Sequence, residues 1–530
     1  MNTVHPEESV SQWSATVEMP EFQPLRNDLS ADVCIVGGGI GGLTTAYLVM
    51  KEGKSVCVLE SFELGSGQTA RTTAQFSNVL DYRYFELEKL HGQDGAKIAA
   101  RSHTAAIEKV AQIVRDENID CDFEYVNGYL FQGEGNDQAD ILQKEFEACQ
   151  RVGLQSVVKT EQLPVKGFSR VSLCFPKQAQ LHPLKYLKRL AEILNEGGVK
   201  IFTHSFADKF QGGKDSFVKT REGHTVHCQS IIVATNTPIN DMFAVHTKQY
   251  AYRTYALAFR IPERSLENAL YWDTEDPYHY IRTESGNTLI VGGEDHKTGQ
   301  ELHPERRYEL LEAWTRQRFS FVGEVLYRWS GQVIQPMDGL GFLGRNPGDY
   351  DNVYVITGDA GNGMTHCTIG AMLITDQIMA RKNQWESLYN PSRISLRATS
   401  TFLKENLNTA AQYADWVTTK SSDTLEDLSY GEGKVFRDGF QLVAAYRNDN
   451  GAYHTVSAVC PHLGAIVSWN SAEKSWDCPC HGSRFDCHGK VIEGPAVTDL
   501  KPVDYVQPAM TAERVMPTLP TYGTDDLSPV

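Results

Sequence analysis

Several common features are missing from this chain of 530 residues. It has no apolar run long enough to span a bilayer, and its first residues, MNTVHPEESVSQW, lack the basic and apolar segments of a secretory signal. It has no excess of basic residues, because the formal net charge is -17, and this argues against a nucleic-acid partner. It also has no internal repeat and no low-complexity tract. We therefore expect a cytoplasmic protein without a membrane span or a nucleic-acid partner.

The number of cysteines does not favour a disulfide scaffold either. The chain has eleven cysteines, and an odd number fits poorly with a disulfide scaffold. In a reducing cytoplasm, most of them are expected to stay as thiols unless they bind a metal. Cys34 and Cys57 lie in apolar runs that predict central strands, so we expect them to pack in the core.

The length of the chain and its changes of pattern predict more than one domain. Helical and strand patterns alternate over most of the chain, as in an α/β protein. A polar, weakly patterned stretch follows, and after it come short strands with turn signals, which are typical of an all-β domain. The predicted parts are an N-terminal arm at 1–28, an α/β unit at 29–403, a linker at 404–425, an all-β domain at 426–510 and a tail at 511–530.

The segment DVCIVGGGIGGLTTAYLVMKEGKSVCVLE carries the strongest motif of the first half. Gly37 permits a tight turn after an apolar strand, Gly39 lets the backbone approach a pyrophosphate, and Gly42 lets the following helix pack closely on the strand. The N-terminus of that helix favours phosphate groups. Glu60, at the end of the second strand, lies near the spacing expected of a carboxylate that holds a ribose hydroxyl. The segment therefore predicts a dinucleotide site.

A second match to the glycine pattern, GLGFLG from Gly339 to Gly344, is not expected to bind a nucleotide. No apolar strand leads into it, and the following RNPGDY cannot start a helix. At the first match the alternative is a glycine turn without a ligand, but strand, helix and acid are all present there.

The fingerprint alone is shared by FAD and NAD proteins. Three further segments favour FAD: GSGQTARTTAQFS, SIIVATNTP and NVYVITGDAGNGM, the last of which is a strand that enters a glycine turn before another helix. With these segments, residues 30–400 resemble the glycine/D-amino-acid oxidase superfamily of FAD-dependent enzymes. The resemblance implies FAD as a cofactor, held by Gly37, Gly39, Gly42, Glu60, Arg71, Thr72, Thr73, Asp359, Gly361, Gly363 and Met364.

The same resemblance implies a Rossmann-like α/β FAD domain combined with an α+β substrate domain. It places the FAD-binding parts at about 29–85, 170–240 and 330–400, and the substrate domain mainly at 86–169 and 241–329.

Many members of that superfamily clamp a substrate carboxylate with an arginine from a strand of the substrate domain. The candidate here is Arg282, with Tyr280 beside it, because a guanidinium binds a carboxylate in bidentate fashion. The equally weighted alternative is that Arg282 lies on the surface at a strand end and has no role in substrate binding. No catalytic residue is predicted, since His366 and Cys367 follow the late glycine turn on a helix, where such side chains are more often simply packed.

Cys460, His462, Cys478 and His481 form two short loops, CPHLG and CPCHG, near the end of the predicted all-β domain. Zinc fingers usually present a cysteine pair and then a histidine pair. Here each loop gives one cysteine and one histidine, which suits a [2Fe–2S] centre with two cysteines on one iron and two histidines on the other. Zinc stays the alternative on this evidence.

Residues 426–505 resemble the Rieske domain, through CPHLG, CPCHGSRFD and GKVIEGPA. The resemblance implies a small all-β fold and a Rieske [2Fe–2S] cluster. High-potential Rieske proteins have a cysteine at the Ala465 position, bridged to the Cys480 position, and a tyrosine at the Phe485 position. With Ala465 in place of that cysteine the disulfide cannot form, and with Phe485 in place of the tyrosine one hydrogen bond toward a ligand sulfur is lost. Ser483 is present, so its hydrogen bond to a bridging sulfide is retained. Since such hydrogen bonds raise the potential, we predict a comparatively low one. Cys480 and Cys487 are expected as free thiols.

The whole chain resembles bacterial fusions of an amino-acid-oxidase-like flavoprotein with a Rieske domain. The resemblance implies an FAD-dependent dehydrogenase that oxidises an amine or amino acid and passes electrons through the cluster to an external acceptor such as a ferredoxin or cytochrome. A Rieske oxygenase is not expected, because too few residues follow His481 to build a mononuclear iron site. Two alternatives stay open: an NAD(P)H-driven flavin/Rieske reductase, and a non-catalytic redox sensor.

Overall fold

The computed structural model describes residues 9–134, 138–165, 168–240, 245–394, 396–412, 425 and 428–504. The helices of this part of the chain are α1 (Gln12–Thr16), α2 (Ile40–Lys51), α3 (Gln68–Arg71), α4 (Tyr84–Asp116), α5 (Gln138–Val152), α6 (Pro183–Glu196), α7 (Glu305–Arg318), α8 (Gly363–Ile378), α9 (Glu386–Tyr389) and α10 (Thr399–Gln412). None of them is long and apolar enough to cross a bilayer.

The strands up to residue 357 build two sheets. In chain order they are β1 (Leu29–Val36), β2 (Val56–Leu59), β3 (Gln75–Phe76), β4 (Glu124–Phe131), β5 (Val158–Thr160), β6 (Ser172–Gln180), β7 (Lys200–Phe202), β8 (Ala207–Gln211), β9 (Phe217–Thr220), β10 (Thr225–Val233), β11 (Gln249–Arg260), β12 (Ala269–Trp272), β13 (Tyr280–Glu284), β14 (Thr288–Lys297), β15 (Val325–Pro336), β16 (Phe342–Arg345) and β17 (Val353–Thr357).

The first sheet is mostly parallel, in the order β16-β17-β10-β1-β2-β7, with the β8–β9 hairpin attached beside β10. Strands β1, β2, β7, β10 and β17 are parallel to one another, whereas β16 pairs with β17, and β9 with β10, in antiparallel fashion. The strand segments 33–36 of β1 and 231–233 of β10, together with all of β2, are apolar and buried, and helices α2 and α8 pack against this sheet. Cys34 and Cys57 lie side by side in this sheet and are buried, as expected from the sequence.

The second sheet has the order β15-β11-β14-β13-β12-β4-β6-β3, with β5 beside β6. It is antiparallel except where β12 runs parallel to β4. Strand β6 belongs to this sheet, although the sequence placed 170–240 with the FAD-binding parts. An apolar strand carries no signal for the sheet that it joins, so this assignment needed the structure.

The C-terminal domain is all-β. Its strands are β18 (Gly433–Asp438), β19 (Gln441–Arg447), β20 (Tyr453–Ser457), β21 (Ser468–Asn470), β22 (Ser475–Asp477), β23 (Arg484–Asp486) and β24 (Val491–Glu493), which form a three-stranded and a four-stranded antiparallel sheet. The fold class predicted from the sequence is therefore confirmed.

The segments expected to be irregular are partly ordered. In the N-terminal arm, Trp13 is fully buried and its Nε1 donates to the Thr72 carbonyl at 2.6 Å, so the arm is tied to the flavoprotein part. The predicted linker at 404–425 begins inside α10, and most of the remainder lies outside the described residues, as do the first eight residues and the predicted tail.

Candidate active site and cluster site

The first glycine turn has the geometry of a dinucleotide cradle. Gly37 has a φ of +111°, and a Cβ there would lie 2.4 Å from the Ala234 carbonyl oxygen. A Cβ on Gly42 would lie 1.9 Å from the carbonyl oxygen of Gly37, so neither position accepts a side chain. The backbone N–H of Gly38 donates to Glu60 at 2.6 Å, which fixes the carboxylate at the end of β2 beside the turn.

A cavity of about 480 Å³ extends from this turn across the ends of the first sheet. The predicted cofactor residues of both glycine turns reach it: Gly37, Gly39, Glu60, Arg71, Thr72, Thr73, Asp359, Gly361, Gly363 and Met364. Gly42 is not part of the lining, because it supports the turn from behind. A long cavity with a helix N-terminus at each turn fits FAD, whose pyrophosphate would lie at the first turn and whose ribityl chain would lie along the second.

Arg71 and Asp359 also make hydrogen bonds and ion pairs within the protein. The Arg71 guanidinium donates to the Ser330 carbonyl at 2.9 Å and forms an ion pair of 3.1 Å with Glu473 of the C-terminal domain. Asp359 accepts a 2.7 Å hydrogen bond from the backbone N–H of Ile334, and burial raises the pKa of its carboxyl to about 7. Whether they also bind cofactor stays a prediction.

The end of the cavity beside the second glycine turn is lined by aromatic and acidic side chains. Tyr280 lies there as expected from the sequence, and its hydroxyl is 2.7 Å from Thr254 Oγ1. Asp81 and Tyr278, which no sequence motif singled out, form a 2.7 Å hydrogen bond at the same end. His366 and Cys367 also border the cavity, and His366 is held through Nδ1 by the Asp359 carbonyl at 2.9 Å.

Arg282 is not among the lining residues. Its side chain is 1% exposed, and Nη1 donates to the carbonyls of Thr73, Ala74 and Leu181 at 3.0–3.1 Å. Nη2 is paired with Glu284. The guanidinium therefore braces the segment after α3, and the geometry does not support the expected substrate clamp.

The two cluster loops have the same backbone design. In the first, the N–H of Cys460 donates to the Ala465 carbonyl at 2.8 Å and the N–H of Gly464 donates back at 2.9 Å. In the second, the N–H of Cys478 donates to the Ser483 carbonyl at 2.8 Å, and the N–H of Gly482 donates to Cys478 at 3.1 Å. Both glycines have φ near +80° (+79° and +77°), so each loop turns back over its cysteine.

The loops face each other. Cys460 and Cys478 are both buried, and their thiols are close enough to interact. The imidazoles of His462 and His481 lie at a centroid distance of 5.0 Å. The structure thus brings all four predicted ligands together, and Ser483 reaches the Cys460 sulfur.

The spacing of these four residues favours a binuclear cluster over zinc. A tetrahedral zinc ion draws its donor atoms to within about 4 Å of one another. Among the described residues, one group of three metal-binding side chains has donor atoms that all lie within 4.8 Å of one another: Asp273, Glu275 and His279. This group contains no cysteine, and its His279 forms an ion pair with Asp273. Cys460 with Cys478, and His462 with His481, form two close pairs, which suits two cysteines on one iron and two histidines on the other.

The histidine side of the cluster site is directed at the flavoprotein part. The buried imidazole of His246, just before β11, has centroid distances of 5.0 Å to His462 and 5.8 Å to His481. Gln332 Nε2 donates to the Gly482 carbonyl at 3.0 Å, so the second cluster loop rests on β15. His246 belongs to no motif, and nothing in the sequence could have placed it here.

A buried charge network joins the two parts. Glu473, between β21 and β22, is paired with Arg71, Arg253 and Arg484 at 3.1–3.6 Å. Burial alone would raise the pKa of the Glu473 carboxyl, but the three arginines lower it to about 2. Residues 491–494 and Ala496 of the C-terminal domain also line the cavity, so that domain forms one of its walls.

Comparison with known proteins agrees with this geometry. The DAO family model, FAD dependent oxidoreductase, matches residues 32–377, and the Rieske [2Fe-2S] domain model matches residues 415–507. The Bacillus subtilis (strain 168) protein YhfW, named for a Rieske 2Fe-2S iron-sulfur centre, is 32% identical over 497 residues, which are 93% of this chain and 97% of that protein.

More distant relatives match the flavoprotein part alone. Gamma-glutamylputrescine oxidoreductase of Escherichia coli (strain K12) is 24% identical over 388 residues, covering 70% of this chain and 88% of that protein. The crystal structure of glycine oxidase from Geobacillus kaustophilus superposes with a TM-score of 0.57 at 17% identity, over 69% of this chain and 99% of that one. The chain therefore belongs to the DAO family of FAD dependent oxidoreductases, and it carries a Rieske [2Fe-2S] domain fused to that flavoprotein.

Proposed function

We propose that the protein is a dehydrogenase that oxidises an amine or amino acid at the carbon next to nitrogen and passes the electrons through its own cluster to an external acceptor. Bound FAD would supply two-electron chemistry and the cluster one-electron transfer. A CH–NH group that loses two electrons and two protons becomes an imine, and two equivalents of a one-electron acceptor balance the reaction.

The observation that carries the proposal is the shared interface of the two cofactor sites. The C-terminal domain forms a wall of the FAD-type cavity, and His246 of the flavoprotein part contacts both histidines of the cluster site. A buried contact of this kind supports transfer within one chain rather than between separate proteins. The names of two similar proteins, gamma-glutamylputrescine oxidoreductase and glycine oxidase, support an amine or amino acid as substrate. The cytoplasmic location and a ferredoxin or cytochrome as acceptor stay predictions from the sequence.

The test is anaerobic purification followed by visible and EPR spectra, and then a screen of amines and amino acids scored by flavin bleaching. We expect flavin and Rieske signals in the same protein and bleaching by at least one compound of these classes. Bleaching by NADH alone would support a reductase instead. Partner binding that changes with redox state, without bleaching by any compound, would support a sensor.

A further inference from the structure

A carboxylate lies directly against the second glycine turn. The Oδ2 atom of Asp81 accepts the 2.7 Å hydrogen bond from the Tyr278 hydroxyl. A Cβ placed on Gly361 would come within 1.8 Å of this oxygen, so the carboxylate occupies the space that the glycine leaves. Asp81 is therefore at the cavity end where the superfamily resemblance places the flavin ring.

A second carboxylate, outside the cavity lining, interacts with Asp81. Asp295, on β14, contacts Thr254, which in turn is 2.7 Å from the Tyr280 hydroxyl. Its Oδ1 is buried and accepts no hydrogen bond from the described residues. Burial raises the pKa of Asp81 to about 6, and burial together with the nearby Asp81 raises the pKa of Asp295 to about 7. Two half-buried carboxylates thus interact, and their desolvation favours an uncharged or cation-paired state.

The charge of Arg83 acts on Asp81 from outside the cavity lining, and its guanidinium donates to the carbonyls of Leu80 and Asp273, both at 3.1 Å. The described lining of the cavity itself offers Asp81 no unpaired cation. Its two arginines, Arg71 and Arg484, are both paired with carboxylates of the C-terminal domain. Arg282, the expected carboxylate clamp, is held by backbone carbonyls and Glu284 away from the cavity. A substrate carboxylate beside Asp81 would meet like charge, whereas an ammonium group would pair with the Asp81 carboxylate inside the cavity.

We propose that the site takes a cationic amine without a carboxylate on the carbon next to nitrogen, and that Asp81 binds its ammonium group. The aromatic faces of Tyr278, Tyr280 and Trp272 line the same end and suit an alkylammonium group through dispersion and cation–π contacts. This inference rests on the proposed function and narrows its substrate class from amines and amino acids to simple amines or polyamines.

The test compares two ligands that share a tert-butyl group and have opposite charge, each on the FAD-loaded protein. tert-Butylammonium has no hydrogen on the carbon next to nitrogen, so it binds without being oxidised, and pivalate is its anionic counterpart. Calorimetric titration is expected to give a lower Kd for tert-butylammonium. Asp81→Asn is expected to raise that Kd by about tenfold or more. Asp94→Asn, which changes an acid that is 97% exposed, is the matched control and is expected to leave it unchanged.

Tighter binding of pivalate, or an unchanged Kd in Asp81→Asn with flavin content at the wild-type level, would overturn the inference. If Asp81→Asn fails to fold, the comparison of the two ligands on the unmodified protein still shows whether the site prefers the cation. The substrate screen separates this inference from the proposed function. Bleaching by amino acids and not by amines would refute the inference and leave the function standing. Tight ammonium binding without bleaching by any compound would refute the function alone.

Discussion

Glu473 is the side chain whose removal tests the domain interface most sharply. Its carboxylate accepts from Ser9 Oγ at 2.6 Å and is paired with three arginines, two of them in the flavoprotein part. Glu473→Gln keeps the shape and removes the charge, so three buried or half-buried guanidinium groups lose their shared counterion. Arg253, which is fully buried, is affected most because its Nε and Nη1 already lack hydrogen-bond partners among the described residues.

Two independent arguments give the size of the effect. A carboxyl whose pKa falls from 4.5 to about 2 on folding contributes about 3 kcal/mol at neutral pH. Removing one partner of a buried ion pair typically costs about 3–5 kcal/mol. We therefore expect Glu473→Gln to destabilise the docked C-terminal domain by about 3 kcal/mol.

The assay is urea unfolding of the cofactor-loaded protein, followed through the visible circular dichroism of the cluster. With a slope of about 1–3 kcal/mol per molar urea, the midpoint is expected to fall by about 1–3 M. Glu432→Gln is the matched control, because this acid on the same domain pairs with Lys474 at the surface and is worth less than about 1 kcal/mol. A Glu473→Gln midpoint equal to that of the control would refute the reasoning.

The same charge makes the interface sensitive to acid. Since the pKa of Glu473 is lower in the folded than in the unfolded chain, its contribution is fully present above about pH 4.5 and is lost as the pH falls toward 2. The stability of the wild-type protein is therefore expected to approach that of Glu473→Gln over this window. A gap between the two that stays constant from pH 7 to pH 3 would contradict the assignment.

Three further predictions concern the cluster, the buried arginine and the reductant. Redox titration is expected to place the reduction potential of the cluster in the lower part of the Rieske range of about −150 to +300 mV. Phe485→Tyr is expected to raise this potential, because it restores a hydroxyl near a ligand sulfur. A wild-type potential at the upper end of the range would refute this prediction. Arg282→Met is expected to cost about 3–5 kcal/mol in urea unfolding, because the carbonyls of Thr73, Ala74 and Leu181 lose their donor and Glu284 loses its partner, while ligand Kd stays unchanged. Weaker ligand binding at unchanged stability would restore Arg282 to the substrate site. Anaerobic NADH is expected not to bleach the flavin. The second glycine pattern, Gly339–Gly344, leads into the edge strand β16 rather than a helix, so it does not build a second nucleotide site. Rapid bleaching by NADH would favour the reductase alternative.

Local motifs explain why the cofactor sites were predictable from the sequence. The glycine turn with Glu60, and the loops of Cys460 and Cys478, each depend on residues close together in the chain. Their backbone geometry follows from glycine at positions of positive φ and from the fixed spacing of ligands. The family comparison and the fold then agreed with the cofactors that these motifs indicate.

The end of the cavity beside the second glycine turn was predictable only in part. Tyr280 was named from the sequence, but Asp81, Thr254 and Tyr278 belong to no motif, and Asp81 lies almost two hundred residues before Tyr280 in the chain. Arg282 was a reasonable candidate because it is two positions along β13 from Tyr280, but its guanidinium is buried beneath the segment after α3. His246 and Glu473 are likewise defined only by domain docking, which depends on tertiary contacts across the whole chain.

The central claim is that electrons from an amine reach the cluster within one chain. It is tested most directly by anaerobic addition of a productive amine to the oxidised protein, with flavin absorbance and the EPR signal of the reduced cluster recorded on the same samples over time. We predict that the flavin bleaches first and that the reduced-cluster signal then grows at a rate independent of protein concentration. A bleached flavin beside a cluster that stays oxidised, or a growth rate that rises with protein concentration, would contradict the account.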